Sequence, residues 1–124
     1  MNAENGIIRT AEIQIDRGFV LTCWLGIEFA NFHQGFGGYV LGGNPFDGTA
    51  KCADHAHQAN YAADFIGGVL AVVDVEKFSS LVGKTVRVKR EGQSDTIVAI
   101  GHVVKDRWYE PTARFNAIGN GGPK

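Results

Sequence analysis

Several stretches of the chain carry side chains that could do chemistry. Cys52-Ala53-Asp54-His55-Ala56-His57 places a thiol, a carboxylate and two imidazoles close together, donors that suit zinc or nickel. The spacing fits no tetrahedral pattern, and on the first turn of a helix His55 and His57 would point about 200° apart. The expectation is a polar, solvated helix start with no metal. Gly35-Phe36-Gly37-Gly38 is different in kind, because backbone N–H groups beside an aromatic ring can cradle a phosphate while the ring stacks a base. Strand-like Tyr39-Val40-Leu41 follows it rather than a helix, so it is no dinucleotide fingerprint, and a bulged strand explains its glycines as well. Arg107-Trp108-Tyr109, with Arg114 and Phe115, joins guanidinium forks suited to phosphate with faces suited to nucleobases. The alternative there is that Trp108 and Phe115 close one end of a core that the arginines decorate.

No GxSxG, HExxH, Walker loop or paired-carboxylate signature is present, so enzyme readings start from little. Cys23 lies mid-strand beside Thr22 and Trp24, where thiols are usually inert. Cys52 is the better candidate for a reactive thiol, and two cysteines make no disulfide scaffold. No apolar run approaches the ~18 residues of a membrane span, and MNAENGII lacks the features of a secretion signal; the expected place is the cytoplasm.

The 124 residues form one expected domain, and their net charge of −1 hides an asymmetry. Residues 1–76 hold 3 Lys/Arg against 9 Asp/Glu, a balance of −6, and residues 77–124 hold 9 against 4, a balance of +5. The cationic segment runs through Lys84, Arg87, Lys89, Arg90, Lys105, Arg107 and Arg114. It can meet an anion or the acidic half of another subunit, or simply face water.

Regular elements must position these groups. Residues 7–15 read as a strand, Asp16-Arg17-Gly18 as a tight turn, and 19–29 as a second strand buried on both faces. Residues 35–43 read as a bulged third strand, closed by the turn Asn44-Pro45-Phe46-Asp47-Gly48. Ala59, Ala62, Ala63, Ile66, Val69, Leu70 and Val73 follow the spacing of one helical face, which predicts a long helix over about 55–75 capped by Thr49 or Asp54. Gly67-Gly68 within it points to close packing. A short helical turn over 75–81 follows, then strands 84–91 and 96–104. Residues 117–124 read as a frayed tail. The order predicts an α+β fold with a largely antiparallel sheet or sandwich and a helix on one side.

Three segments carry a family resemblance: Gly35-Phe36-Gly37-Gly38-Tyr39-Val40-Leu41-Gly42; Val72-Val73-Asp74-Val75-Glu76-Lys77-Phe78, leading on through Leu81-Val82-Gly83-Lys84-Thr85-Val86-Arg87-Val88; and Ile100-Gly101-His102-Val103-Val104-Lys105-Asp106-Arg107-Trp108. In this order they resemble the first type of phage-encoded Thoeris anti-defence protein, a sponge for cyclic ADP-ribose isomers. The resemblance implies a decorated immunoglobulin-like β-sandwich that assembles as dimers or as hexamers and is not an enzyme. It also implies binding of the isomer that bacterial TIR-domain proteins make from NAD, in the cytoplasm of the host bacterium. A separate site for cyclic di- or trinucleotides is a further implication.

On that footing the expected contacts are Phe36 and Phe78 for base stacking, Gly37 and Gly38 as backbone donors, Arg107 and Arg114 for phosphates, and Trp108 as a wall. Arg87 and Lys89 are the expected second nucleotide site; no cofactor, metal, membrane or nucleic-acid partner is expected. Asn31-Phe32-His33-Gln34 stands where the family has small glycine-rich residues, and Cys52 to His57 matches nothing in it, which bears on which isomer is preferred. Two rivals remain. One is a nucleic-acid or host-protein binder using the basic strand pair 84–107, weakened by a pI near 6.4. The other is an enzyme that cleaves the signal, recruiting His102, His33 or Glu28.

Overall fold

Period-two alternation near the start of the chain builds a long hairpin. The computed structural model describes residues 3–44, 46, 55–91 and 95–119, with residues 55–60 described by backbone alone. Strand β1 (Ala3–Asp16) runs antiparallel to β2 (Val20–Glu28). Between them Arg17 and Gly18 adopt φ of 53° and 83°, and the Phe19 N–H donates to the Asp16 carbonyl at 3.2 Å. Two left-handed residues in succession make the primed turn whose twist matches the strands it joins. The expected third strand divides in two: β3 (His33–Gly37) and β4 (Gly42–Gly43) both pair with β2. The break falls at Gly37 and Gly38, with φ of 124° and 78°.

After the long helix α1 (His55–Val73) and a single turn of 3-10 helix (Phe78–Leu81) come β5 (Thr85–Arg90), β6 (Ile97–Gly101), the two-residue β7 (Trp108–Tyr109) and helix α2 (Pro111–Gly119). The strands form one seven-stranded antiparallel sheet in the order β3-β2-β1-β5-β6-β7, with β4 beside β2. It bends enough for β3 to touch β6, and the Gln34 side chain donates to the Asp95 carbonyl. The molecule is therefore α+β, an antiparallel sheet with two helices.

Helix α1 ends where Asp74 takes a left-handed φ of 71°, and the N–H groups of Asp74 and Val75 both donate to the Leu70 carbonyl at 2.9 and 3.0 Å. Such a C-terminal cap is usually glycine. Its expected N-caps, Thr49 and Asp54, lie outside the described residues, as do Cys52, Pro45, Asp47 and Gly48. Helix α2 corrects the sequence reading, because residues 117–119 complete a helix instead of opening a frayed tail; residues 120–124 lie outside the described residues. Pro111 begins α2 where a missing N–H costs nothing.

The core gathers Ile8, Leu25, Ile27 and Phe36 from the first strands, Phe65, Val69 and Val72 from α1, and Val86, Val88 and Ile100 from the last. Gly68 explains itself here: a Cβ on it would stand 2.4 Å from the Tyr109 ring, whereas one on Gly67 would meet nothing within 4 Å. Among the described residues no helix is long and apolar enough to cross a membrane.

Candidate functional site

The glycine run forms a bed for a ring, but the ring is not Phe36. Phe36 points into the core at 1% exposure, stacked on Phe65 at 5.9 Å between centroids. It offers no face to a ligand. Trp24, on the opposite face of β2, lies on the glycines instead: a Cβ on Gly38 would come within 2.2 Å of its indole and one on Gly35 within 3.0 Å. The Gly38 N–H donates to the Cys23 carbonyl at 2.9 Å, so it is engaged in the fold and not free for a phosphate. Register could have shown this, since Trp24 pairs directly with Gly37.

The two arginines expected at phosphate are both anchored to α1. Arg114 sets Nε and Nη2 on Asp64 Oδ2 at 3.0 and 2.7 Å, a fork on a carboxylate that is itself largely covered. Asp64 also accepts the Tyr109 hydroxyl at 2.7 Å, and burial, with the Asp64 carboxylate second, pushes that phenol far above its ordinary range. Arg107 donates from Nη1 to the Ala71 carbonyl at 2.9 Å, a cation on the last turn of α1. Asp64 and Ala71 are seven residues apart on one helix, about 10 Å along its axis. Phe78 is half-buried and packs against the core. These groups do not converge on one pocket.

A different convergence occurs on the outer face of β5, β6 and β7. Gly101 pairs with Trp108, and a Cβ on Gly101 would stand 2.7 Å from the indole, so the ring lies flat on the bare strand. Over the same ring stand two cations, the Lys89 ammonium at 4.0 Å from the ring centroid and the Arg87 guanidinium at 4.9 Å. Cations over an indole are attracted by its quadrupole.

The two cations differ in freedom. Arg87 donates from Nε to the His102 carbonyl and from Nη2 to the Lys105 carbonyl, both at 2.7 Å, and so fixes the 102–107 loop. In that loop His102 Nδ1 accepts the N–H groups of Val104 and Lys105 at 3.1 and 3.0 Å. Lys89 has no carboxylate partner among the described residues. It also reaches a cavity of about 410 Å³ whose walls include Glu91, Val98, Glu110, Thr112 and Asn116. An ammonium without a carboxylate partner, carboxylates able to accept hydroxyls and an apolar patch together suit a nucleotide, with the Trp108 ring beneath the ammonium and not among the cavity's walls.

Of the rest of the basic segment, Lys84 is exposed with no carboxylate partner among the described residues, and the other cations are occupied. Arg90 pairs with Glu4, donates to Gln34 at 2.8 Å and lies over the stacked rings of Phe29 and Phe32. Lys105 holds Asp74 at 3.1 Å, and that hydrogen bond, with the Lys105 charge, lowers the Asp74 pKa. With Arg87, Arg90, Lys105, Arg107 and Arg114 each anchored within the fold, only Lys84 and Lys89 remain, both without a carboxylate partner among the described residues, short of the open track that a nucleic-acid backbone needs.

The groups that hydrolysis would recruit are also apart. Glu28 and His33 are cross-strand neighbours at 3.6 Å, whereas His102 follows β6, three strands across the sheet from β2. Glu28 is held by Arg9, whose hydrogen bond and charge lower its pKa. Cys23 is buried, and burial pushes its thiol up to about 11, where it stays protonated near neutral pH. Among the described residues no group of three or more His, Cys, Asp or Glu could hold a metal ion. The side chains of His55 and His57 lie outside the described residues, with Cys52 and Asp54.

Comparison with family models, with curated proteins and with solved structures finds no significant match.

Proposed function

We propose that this protein binds an isomer of cyclic ADP-ribose and sequesters it without cleaving it, and that Lys89, seated on Trp108, is its principal contact. The observation that carries the reading is the Lys89 ammonium, unpaired with any described carboxylate, poised 4.0 Å over the Trp108 ring at the edge of a cavity of about 410 Å³. A cyclic ADP-ribose isomer carries a diphosphate, an adenine and two riboses. Lys89 answers the diphosphate, the Trp108 indole beneath it holds the ammonium in place, and Glu91 and Glu110 can accept ribose hydroxyls.

The resemblance of residues 35–108 to the Thoeris anti-defence family supplies the biological setting. Bound isomer would not reach its effector in the host cytoplasm, and Thoeris signalling would stop. The finer reading of the bent sheet, that it is a decorated immunoglobulin-like sandwich, belongs to the same proposal, as do assembly beyond one chain and a second site for cyclic di- or trinucleotides. Arg87 enters the account as the residue that holds the 102–107 loop against the site.

Thermal shift against a panel of cyclic ADP-ribose isomers and cyclic dinucleotides tests this, followed by heating and identification of what is released. A rise of several degrees with intact isomer recovered is expected. No rise with any member overturns the reading, and an altered product makes the protein an enzyme.

A further inference from the structure

The β1/β2 hairpin outruns the rest of the sheet. Strand β5 pairs with β1 only over Ala3–Ile7, and Ile8 exchanges bonds with the next segment, donating to the Lys84 carbonyl at 2.9 Å and accepting from Gly83 at 2.7 Å. From Thr10 to Asp16 β1 has backbone partners on the β2 side alone among the described residues. This leaves an open edge about 23 Å long. It carries no lysine or proline, the usual guards against edge-to-edge pairing. On the side that faces the core elsewhere, Ile13 and Ile15 remain 45% and 43% exposed.

We propose that this edge pairs antiparallel with the same edge of a second copy, about a two-fold axis through Ile13, joining the two sheets into one. The register follows from the sequence of the edge, Thr10-Ala11-Glu12-Ile13-Gln14-Ile15-Asp16. Directly opposed residues on antiparallel strands share a face. Centred on Ile13, the pairing sets Ile13 on Ile13 and Ala11 on Ile15, a continuous apolar strip beside Leu21 and Cys23. On the other face it sets Glu12 on Gln14 and Asp16 on Thr10, so each carboxylate meets a neutral donor. A two-fold centred on Glu12 would oppose two glutamates, and one centred on Gln14 would oppose Glu12 and Asp16. The Ile13 register uses the whole open edge and sets no carboxylate against another. It stands whether or not a nucleotide binds.

Sedimentation velocity of the full chain, together with cysteine cross-linking in a Cys23→Ala, Cys52→Ser background that also removes the thiol opposite Ile13, tests the proposal. A dimer is expected. Gln14→Glu, which opposes two carboxylates at each of two positions, weakens it at least tenfold, and Glu12→Lys combined with Gln14→Glu restores it. Ile13→Cys gives an intermolecular disulfide under mild oxidation. Thr10→Cys, whose copies would lie some six residues apart along the strands, or roughly 20 Å, gives none. The thermal midpoint of each variant shows that it is folded. A monomer at high micromolar concentration overturns the proposal, and so does a dimer indifferent to Gln14→Glu in which Ile13→Cys fails to cross-link.

Discussion

The two tryptophans are seated by the same device and surrounded by opposite charges. Trp24 lies on Gly35 and Gly38, Trp108 on Gly101, and in both cases a cross-strand glycine leaves the backbone bare beneath an indole. Across the hairpin Trp24 is paired with Glu12, and no cation stands over its ring among the described residues. Trp108 has Lys89 and Arg87 over its face. A ring laid flat on bare backbone is thus a packing outcome that any glycine-paired strand can provide. On the proposed function, the charge beside it is what separates a ligand site from a packing feature.

The sharpest way to break the comparison is to remove the beds. Gly38→Ala meets both a positive φ of 78° and the Trp24 ring, and is expected to cost about 2–4 kcal/mol. Gly101→Ala meets the Trp108 ring alone and should cost about 1–3 kcal/mol. Chemical denaturation reads both. If either alanine were neutral, the ring would not be resting on the strand.

Ligand affinity separates the two rings next. Lys89→Ala and Trp108→Leu should each weaken binding of a cyclic ADP-ribose isomer by about 1.5–3 kcal/mol, while Trp24→Leu leaves it unchanged. Titration calorimetry is the measurement. Equal losses from both tryptophans would mean that charge does not distinguish them.

Tyr109 extends the device to a helix, where Gly68 is the bed and Gly67 the control. Gly68→Ala should destabilise by about 1–2 kcal/mol despite the gain in helix propensity, and Gly67→Ala should stabilise by up to about 1 kcal/mol. Opposite shifts in Tm are expected.

The smallest effect concerns the ion pair that occupies Lys105. Hydrogen bonding to Lys105, with its charge, lowers the Asp74 pKa. The pair's contribution is therefore present above the ordinary carboxylate range and is lost as pH falls through the lowered value. Wild type should exceed Asp74→Asn slightly in Tm near pH 6, and the gap should close as pH falls below the ordinary carboxylate range and through the lowered value. A gap that stays constant until the carboxylate is fully protonated would mean that its charge is not the cause.

Much of the framework was legible because it rests on local rules. The Asp16-Arg17-Gly18 turn, the alternating strands and the existence of α1 are written in neighbouring residues, but the face that α1 buries is turned from the expected one: Phe65 and Val72 join Val69 in the core, Ala62, Ile66 and Leu70 are only partly buried, and Ala63 is exposed. What was missed depends on register. Nothing near Phe36 says that it faces inward while Trp24 takes the glycines, because that requires knowing which residue of β2 lies opposite Gly37. The Asp64 fork on Arg114 joins two helices 50 positions apart in sequence, and α2 is short enough that its glycine-rich surroundings hid it. Trp108 was noticed as an aromatic beside arginines, but its real companions, Lys89 and Gly101, come from the strands beside it in the sheet.

The measurement that bears most directly on the central claim is titration calorimetry of wild type, Lys89→Ala and Arg114→Ala with a cyclic ADP-ribose isomer. Lys89 is free over its ring and Arg114 is held by Asp64. The expected result is at least a tenfold loss for Lys89→Ala, with Arg114→Ala lower in Tm but close to wild type in affinity. Unchanged affinity in Lys89→Ala together with lost binding in Arg114→Ala would contradict the account.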